Sequence, residues 1–242
     1  GVLAVHSLFD VVYYVTRPLP LIGLFAGMTW MLHEAAVQGA PAAAKGKRKL
    51  GWLVPAAGGL AGAVLLLAFF RPLAARFYAN LGVIEQTRLE LSAYDAAHFD
   101  NPTLDEVRQQ LDLSQAVSYY QQARRWNPVD RTALQRLAQI YMSLGDYSQA
   151  LTWSQAAWYV GYRDEITRLT YGDALVAIGE PQAAAEVVSG LPWATGRLNT
   201  QAWYRYYRQA DYARANFAWR AVLALDPNDA HALSGMELLQ KP

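Results

Sequence analysis

The chain contains no cysteine among its 242 residues, which excludes disulfide bonds and thiolate chemistry but does not fix the compartment. An excess of charge of either sign is also missing. The formal net charge is +1, so no overall basic field attracts nucleic acid, and we predict no nucleic-acid partner. None of the few histidines stands in a metal-ligand spacing, and no phosphate loop or nucleophile elbow occurs. We therefore predict no metal, no cofactor and no catalytic residue within this chain.

Long uncharged runs, by contrast, dominate the N-terminal part of the chain. Residues 51–70 are 20 consecutive residues without a charge, enough for a helix of about 30 Å, the thickness of a bilayer core. Two shorter apolar segments, 2–16 and 18–36, precede this run. The first begins at the start of the chain, which favours a C-terminal piece of a longer protein. We predict two to three transmembrane helices within a membrane region at 1–70.

The loop at residues 40–50 fixes the predicted orientation. Three of the four lysines fall within it, and with Arg48 they form the basic run KGKRK. Basic loops between spans stay on the cytoplasmic side of a membrane. We therefore predict that the chain lies in the cell (inner) membrane, with residues 71–242 on the extracytoplasmic side. Predicted partners are the lipid bilayer and other proteins, including a larger membrane complex.

Polar and small residues within the apolar segments indicate helix packing. His6 and Asp10 are four residues apart, so they share one helix face, and polar groups at membrane depth usually face other protein. We predict an intramembrane polar contact there. The lone intramembrane histidines leave open a pigment or haem ligand in a respiratory or photosynthetic subunit. Small residues spaced by four let helices approach closely; these helix-packing candidates are Gly23, Gly27, Gly58 and Gly62.

The second part of the chain repeats at a fixed interval. Ala116, Ala150 and Ala184 form one evenly spaced series, and Gly145 and Gly179 form another with the same spacing. A period of about 34 residues is typical of helix–turn–helix repeats. In RTALQRLAQIYMSLGDYSQALTWSQAA, residues 131–157, apolar and small residues fall at regular helical positions around a Gly-Asp-Tyr turn. The segment resembles the tetratricopeptide repeat family, and this resemblance extends over residues 113–230.

Degenerate units surround this best repeat. Residues 113–128 supply a second helix, residues 165–190 form the next unit, and residues 209–229 mark the last one, after a shortened helix and a GLPWATGRLN linker. The tail DAHALSGMELLQ is predicted to close the stack. Residues 71–98 are predicted as a connecting helix, which either continues the last span or breaks near Pro72. The fold class is therefore all-α: membrane helices, then an α-helical solenoid at 99–242.

The tetratricopeptide resemblance implies that partners bind the concave face, which is lined by the first helix of each unit. The lysine and asparagine clamp of the chaperone-tail-binding subclass is missing, which disfavours that partner. Aromatic residues are enriched both at interfaces and in repeat cores, so the WYRYY run at 203–207 fits either role. The candidate protein-binding residues are Gln135, Gln139, Met142, Leu169, Asp173, Val176, Trp203 and Tyr206. The acidic residues near residue 100, Asp105 among them, are most simply solvated or helix caps.

The N-terminal segment suggests a second relationship. His6, Leu8 and Asp10, followed by Pro18 or Pro20 and an apolar helix, resemble the last membrane-helix pair of the O-antigen ligase/polymerase superfamily. Some members of that superfamily append a tetratricopeptide tail. The resemblance implies glycan transfer by a longer protein, whose catalytic residues would lie upstream of this chain. Two hypotheses follow: a membrane-anchored protein-interaction scaffold or assembly subunit, and the C-terminal portion of such a glycan-transferring enzyme.

Overall fold

The computed structural model describes residues 53–93 and 103–240. The predicted segments 2–16 and 18–36, the basic loop at 40–50, and the candidates His6, Asp10, Gly23 and Gly27 lie outside these ranges. Within them the chain is helical and has no strand, as the all-α prediction requires. The α-helices are α1 (Leu53–Ser92), α2 (Leu104–Gln110), α3 (Ser114–Trp126), α4 (Arg131–Ser143), α5 (Tyr147–Tyr159), α6 (Glu165–Ala177), α7 (Pro181–Val188), α8 (Ala194–Thr200), α9 (Tyr212–Leu225) and α10 (Ala230–Leu238).

Helix α1 runs for 40 residues and passes through Pro72 without a break. Of the two alternatives for the connecting segment, the continuous helix is therefore the one observed. The backbone of α1 includes residues 53–70 of the uncharged run, although most side chains there lie outside the described part. Within the described residues, we find no helix that is both long and apolar enough to cross a bilayer. The spans within residues 1–70 and the domain limits at 70 and 98 stay predictions.

The C-terminal half of α1 packs on α3. Ala79 and Ala116 are buried at this contact, and a Cβ atom at Gly82 would lie 2.6 Å from the Tyr120 ring. Only a glycine therefore lets the two helices approach this closely. The Tyr120 hydroxyl donates to Gln86 Oε1 at 2.7 Å, so the one polar group of the buried ring is paired. Helix α1 thus takes the place of a first helix against α3.

The best predicted repeat forms the helix pair α4 and α5. Asp130 caps α4 and Asp146 caps α5, each by accepting a backbone N–H with its side chain. Gly145 lies between the helices with φ 78°, a conformation that glycine adopts at little cost. Three residues of the 131–157 segment, Leu134, Leu137 and Ala138, are fully buried. The small residues Ala150 and Ala157 are buried as well.

The next unit pairs α6 with α7. A Cβ atom at Gly172 would lie 2.5 Å from Val188 Cγ1, so the two helices touch at the glycine. Gly179 ends α6 with φ 92°, and the Glu180 N–H donates to the Leu175 carbonyl at 2.9 Å. A hydrogen bond between residues five apart commonly ends an α-helix at a glycine. The predicted unit at 165–190 therefore has two helices and a glycine turn.

The last unit differs from the prediction. The GLPWATGRLN segment was expected to be a linker, but its second half forms α8. The chain then continues as a π-helix over Gln201–Tyr206 and a 3-10 turn over Tyr207–Gln209. These three segments together pack on α9 as a first helix. A π-helix takes more residues per turn than an α-helix, which obscured the spacing of this unit in the sequence.

Helix α10 closes the stack, as predicted. Trp219 of α9 is 2% exposed, and a Cβ atom at Gly235 of α10 would overlap the Trp219 ring. The closing helix thus lies directly on the indole ring. Asp229 caps α10 by accepting the Ala232 N–H at 2.8 Å. The end of the array is covered in the manner that solenoids require.

Candidate functional site

The first helices of the repeat units are α4, α6 and α8 with its π-helical continuation. We call the surface that they line the first-helix face. Of the eight predicted binding residues on it, Gln135, Gln139 and Leu169 are half-buried and Trp203 is 39% exposed. These four retain contact with solvent, so they remain candidates for binding a partner.

The other four predicted residues are buried, so the prediction that they lie on an open surface is wrong. Their exposed fractions are 4% for Met142, 2% for Asp173, and 0% for Val176 and Tyr206. Met142 belongs to a buried cluster with alanines of α6, so it joins two first helices. Val176 and Tyr206 belong to the core of the last two units. Neighbouring first helices pack closely enough here to bury positions that the repeat pattern assigns to the surface.

Gln135 has a structural partner as well. Its side-chain amide donates to Asp164 Oδ1 at 3.0 Å and to Thr167 Oγ1 at 2.6 Å. Asp164 is the N-cap of α6, and Arg131 of α4 lies 3.0 Å from its carboxylate. The start of α6 is therefore fixed to α4 by polar contacts. Gln135 links two units, which leaves Gln139, Leu169 and Trp203 as the freer part of the predicted set.

Helix α2 lies against the end of α4. Arg108 donates to Ser143 Oγ at 3.1 Å, and the Gln109 amide donates to the Ser143 carbonyl at 2.9 Å. The Ser143 hydroxyl donates to Asp105 Oδ1 at 2.7 Å. Arg108 also lies 2.7 Å from Glu90 of α1. A short helix between α1 and α3 thus rests on the first-helix face.

Asp105 also reaches the last repeat unit. Arg205 donates through Nε to Asp105 Oδ2 at 3.0 Å and through Nη2 to the same oxygen. The two residues are 100 positions apart in the chain. Asp105 lies in the first turn of α2, as expected of an acid at a helix N-terminus, but it is also paired with an arginine. Glu106 is the exposed member of a capping box with Thr103. Sequence reasoning did not identify Arg205, and no local spacing signals this pair.

A second ion pair lies on the same face. Arg197 of α8 donates to Asp173 Oδ2 through Nε at 3.0 Å and through Nη2 at 2.5 Å. The Tyr206 ring packs edge-on against Tyr147 with 6.3 Å between the ring centroids, and burial raises the pKa of the Tyr206 hydroxyl above its ordinary value of 10.0. Both acidic groups at this site are thus neutralised by an arginine, and the tyrosine stays protonated as a hydrogen-bond donor.

Buried polar atoms without partners cluster in the same place. Asp173 Oδ1, Arg205 Nη1 and Tyr206 OH have no hydrogen-bond partner among the described residues. Such atoms are uncommon in folded proteins, and each one calls for an explanation. We call Asp105, Asp173, Arg197, Arg205 and Tyr206 the groove cluster. It provides two unused donors, a guanidinium N–H and a phenol, and one unused acceptor, the Asp173 carboxylate oxygen Oδ1.

The WYRYY run divides between core and surface. Trp203 stacks on Tyr207 with 4.9 Å between the ring centroids, and Tyr207 packs against Trp219 of the core. Tyr204 is 53% exposed and lies beneath the Arg208 guanidinium at 5.6 Å. The run therefore has both core and exposed members. The exposed pair, Trp203 and Tyr204, lines a cavity between the π-helix and α10.

The remaining predicted residues do not add to this site. Gly58 and Gly62 lie in the backbone of α1, and their contacts fall outside the described part. Within residues 53–93 and 103–240, no group of three or more metal-ligating side chains is assembled. The chemistry that the described part of the site offers is recognition through donors, acceptors and aromatic rings.

The pairing of Asp105 predicts a pH-dependent stability. Burial raises the pKa of Asp105, but the Arg205 guanidinium and the Ser143 hydroxyl outweigh it, and the pKa lies below its ordinary value of 3.8. A carboxylate with a lowered pKa stabilises the fold above the unfolded-state pKa, and this contribution disappears as the pH falls through the folded-state pKa. We expect Asp105→Asn to destabilise the protein near pH 6, with the difference shrinking below about pH 4. Urea unfolding across this pH range measures the effect, and parallel profiles for the two proteins would contradict it.

Comparison with known families bears on the described repeats. Residues 107–159 match the family described as tetratricopeptide repeat. The match covers α3, α4 and α5 and the end of α2, so the chain carries a tetratricopeptide repeat in this segment, as the sequence predicted. No curated protein matches the chain.

Proposed function

We propose that this chain is a membrane-anchored scaffold or assembly subunit that holds protein partners on the first-helix face of an extracytoplasmic repeat array. The observation that carries the proposal is the tetratricopeptide match at residues 107–159, since repeats of this family generally mediate protein–protein contacts. Each of the first helices carries a predicted residue that is at least partly exposed, namely Gln139, Leu169 and Trp203, which is consistent with it. The array would bind segments of other membrane or extracytoplasmic proteins.

The membrane anchor is part of this proposal and has its own support. Residues 51–70 carry no charge, and the basic run KGKRK precedes them. Chains with this order place the basic loop in the cytoplasm and the segment after the span outside. Because the chain has no cysteine, one introduced cysteine reports its own location. A membrane-impermeant maleimide should label Ser148→Cys and spare Gly46→Cys in intact cells, and the reverse pattern would contradict this topology.

Site-specific photo-crosslinking tests the binding role. A photoreactive amino acid at Gln139, on the first-helix face, is compared with one at Gln149, which is exposed on the second helix α5. The two positions replace the same residue type on neighbouring helices. In native membranes we expect covalent adducts of defined mass from position 139 and none from position 149. Absence of adducts from 139, 169 and 203 alike would overturn the proposed function.

The second candidate function is the C-terminal portion of a glycan-transferring membrane enzyme of the O-antigen ligase type. The observation that favours it is the pattern of His6, Leu8 and Asp10 before Pro18 or Pro20. The gene upstream of Gly1 distinguishes the two candidates. Eight or more additional spans with a long periplasmic loop would support the enzyme, and a start codon directly before Gly1 would exclude it.

A further inference from the structure

Helix α2 occupies the same face that we propose for partners. It spans seven residues, Leu104–Gln110, and lies between α1 and α3 in the chain. Its side chains bond to Ser143 at the end of α4 and to Arg205 in the π-helix. It therefore bridges two first helices from outside the array. A segment of the chain itself thus lies where a bound peptide would lie.

Polar contacts rather than a large apolar face hold α2 in place. Val107 is the one apolar side chain of α2 that is buried, and Leu104 is 49% exposed. The remaining contacts are hydrogen bonds and ion pairs made by Asp105, Arg108 and Gln109. Hydrogen bonds of this kind can be exchanged for equivalent bonds to another ligand, because the partner atoms remain satisfied after the exchange. Helix α2 therefore has the character of a replaceable occupant.

On the repeat array, Arg205 requires an acidic partner. The side chain of Arg205 is 17% exposed, and a buried guanidinium without a counter-charge is costly. If Asp105 leaves, another carboxylate must take its place. Two further donors, Arg205 Nη1 and Tyr206 OH, have no partner within the described ranges. Asp173 is paired with Arg197 through Oδ2, so this acid does not itself compensate the charge of Arg205.

We propose that Arg205 anchors a carboxylate-binding site on the first-helix face, that α2 fills this site through Asp105, and that an acidic segment of a protein partner displaces it. The role of the site in partner binding rests on the function proposed above. Charge complementarity selects the partner: removal of Asp105 leaves the groove cluster with one uncompensated positive charge. Arginine binds carboxylates with a planar fork of donors, so an aspartate or glutamate side chain, or a terminal carboxylate, fits this position.

A peptide with the sequence of α2 is the probe. A fluorescent peptide TLDEVRQQ, residues 103–110 with blocked ends, is titrated into the full chain and followed by anisotropy. In the native chain, its own α2 competes for the site. We expect the Asp105→Asn chain to bind the peptide at least about tenfold more tightly than the native chain does. Asp112→Asn, which removes an exposed carboxylate two residues beyond α2, is the matched control and should bind the peptide as the native chain does.

The peptide also allows the interaction to be removed from the ligand side. A peptide with asparagine in place of Asp105 should bind the Asp105→Asn chain no more tightly than the native chain. This test changes the peptide and leaves both chains as they are. Arg205→Gln in the Asp105→Asn background should abolish the gain from the receptor side, with its fold checked by circular dichroism. Equal binding to the native and Asp105→Asn chains, or equal binding of both peptides, would overturn the proposal.

The outcomes separate this site from the proposed function. If the peptide binds as expected and positions 139, 169 and 203 all crosslink no partner, the carboxylate site stands and the scaffold function fails. If position 139 crosslinks a partner and the peptide shows no dependence on Asp105, the scaffold function stands and the carboxylate site is wrong.

Discussion

Replacing Tyr120 by alanine should lower the free energy of unfolding by about 3–5 kcal/mol, the cost of removing a large, fully buried aromatic ring. Tyr120 is 0% exposed between α1 and α3. Gly82 has no side chain that could fill the space, and its neighbours in the cluster, Ala79 and Ala116, are small. The resulting cavity would therefore collapse poorly. Urea unfolding of the full chain in mild detergent, followed by circular dichroism, measures the change.

Two variants separate the contributions to this loss. Tyr120→Phe keeps the ring but removes the hydroxyl that donates to Gln86 Oε1 at 2.7 Å. An unpaired buried polar group lowers the free energy of unfolding by about 1–3 kcal/mol. Tyr159→Ala is the matched control, because that tyrosine is 76% exposed on the neighbouring helix pair and should change stability by less than about 0.5 kcal/mol. Similar losses for Tyr120→Ala and Tyr159→Ala would show that α1 is not packed on α3 in this way.

The repeat architecture was predictable because its packing is local. Ala116, Ala150 and Ala184 recur at one fixed spacing, and each one lies fully buried where two neighbouring helices meet. A small residue is needed wherever two helices approach closely, so the requirement repeats with the unit. The glycine turns at Gly145 and Gly179 follow for the same reason, since both adopt a positive φ. A pattern that is set by contacts within one unit can be read from one sequence.

The candidate site was only partly predictable because its contacts are not local. The repeat pattern assigns Met142, Asp173 and Val176 to an accessible face, but packing between successive first helices buries them. The π-helix at Gln201–Tyr206 changes the register of the last unit, and no proline or glycine within it announces the change. The pair of Asp105 and Arg205 joins residues 100 positions apart. Such contacts depend on how whole units are stacked, which residue spacing does not encode.

Replacing Trp219 by alanine should also lower the free energy of unfolding by about 3–5 kcal/mol. This loss arises at the C-terminal end of the array, whereas that of Tyr120→Ala arises at the contact of α1 with α3. The indole is 2% exposed and lies between Tyr207, at 5.8 Å between ring centroids, and the backbone of α10 at Gly235. Its loss would remove the surface on which the closing helix rests. We expect the full chain to unfold at lower urea concentration and α10 to become susceptible to limited proteolysis at neutral pH.

Trp193→Ala tests whether this loss depends on burial. Trp193 precedes α8 and is 71% exposed, so the same substitution there removes the same side chain without opening a cavity. Its expected effect is less than about 0.5 kcal/mol. Because Trp219 and Tyr120 lie in separate core clusters, the loss at Trp219 should add to that at Tyr120 in the double variant. A double variant that loses far less than the sum would show that the two ends of the array are coupled.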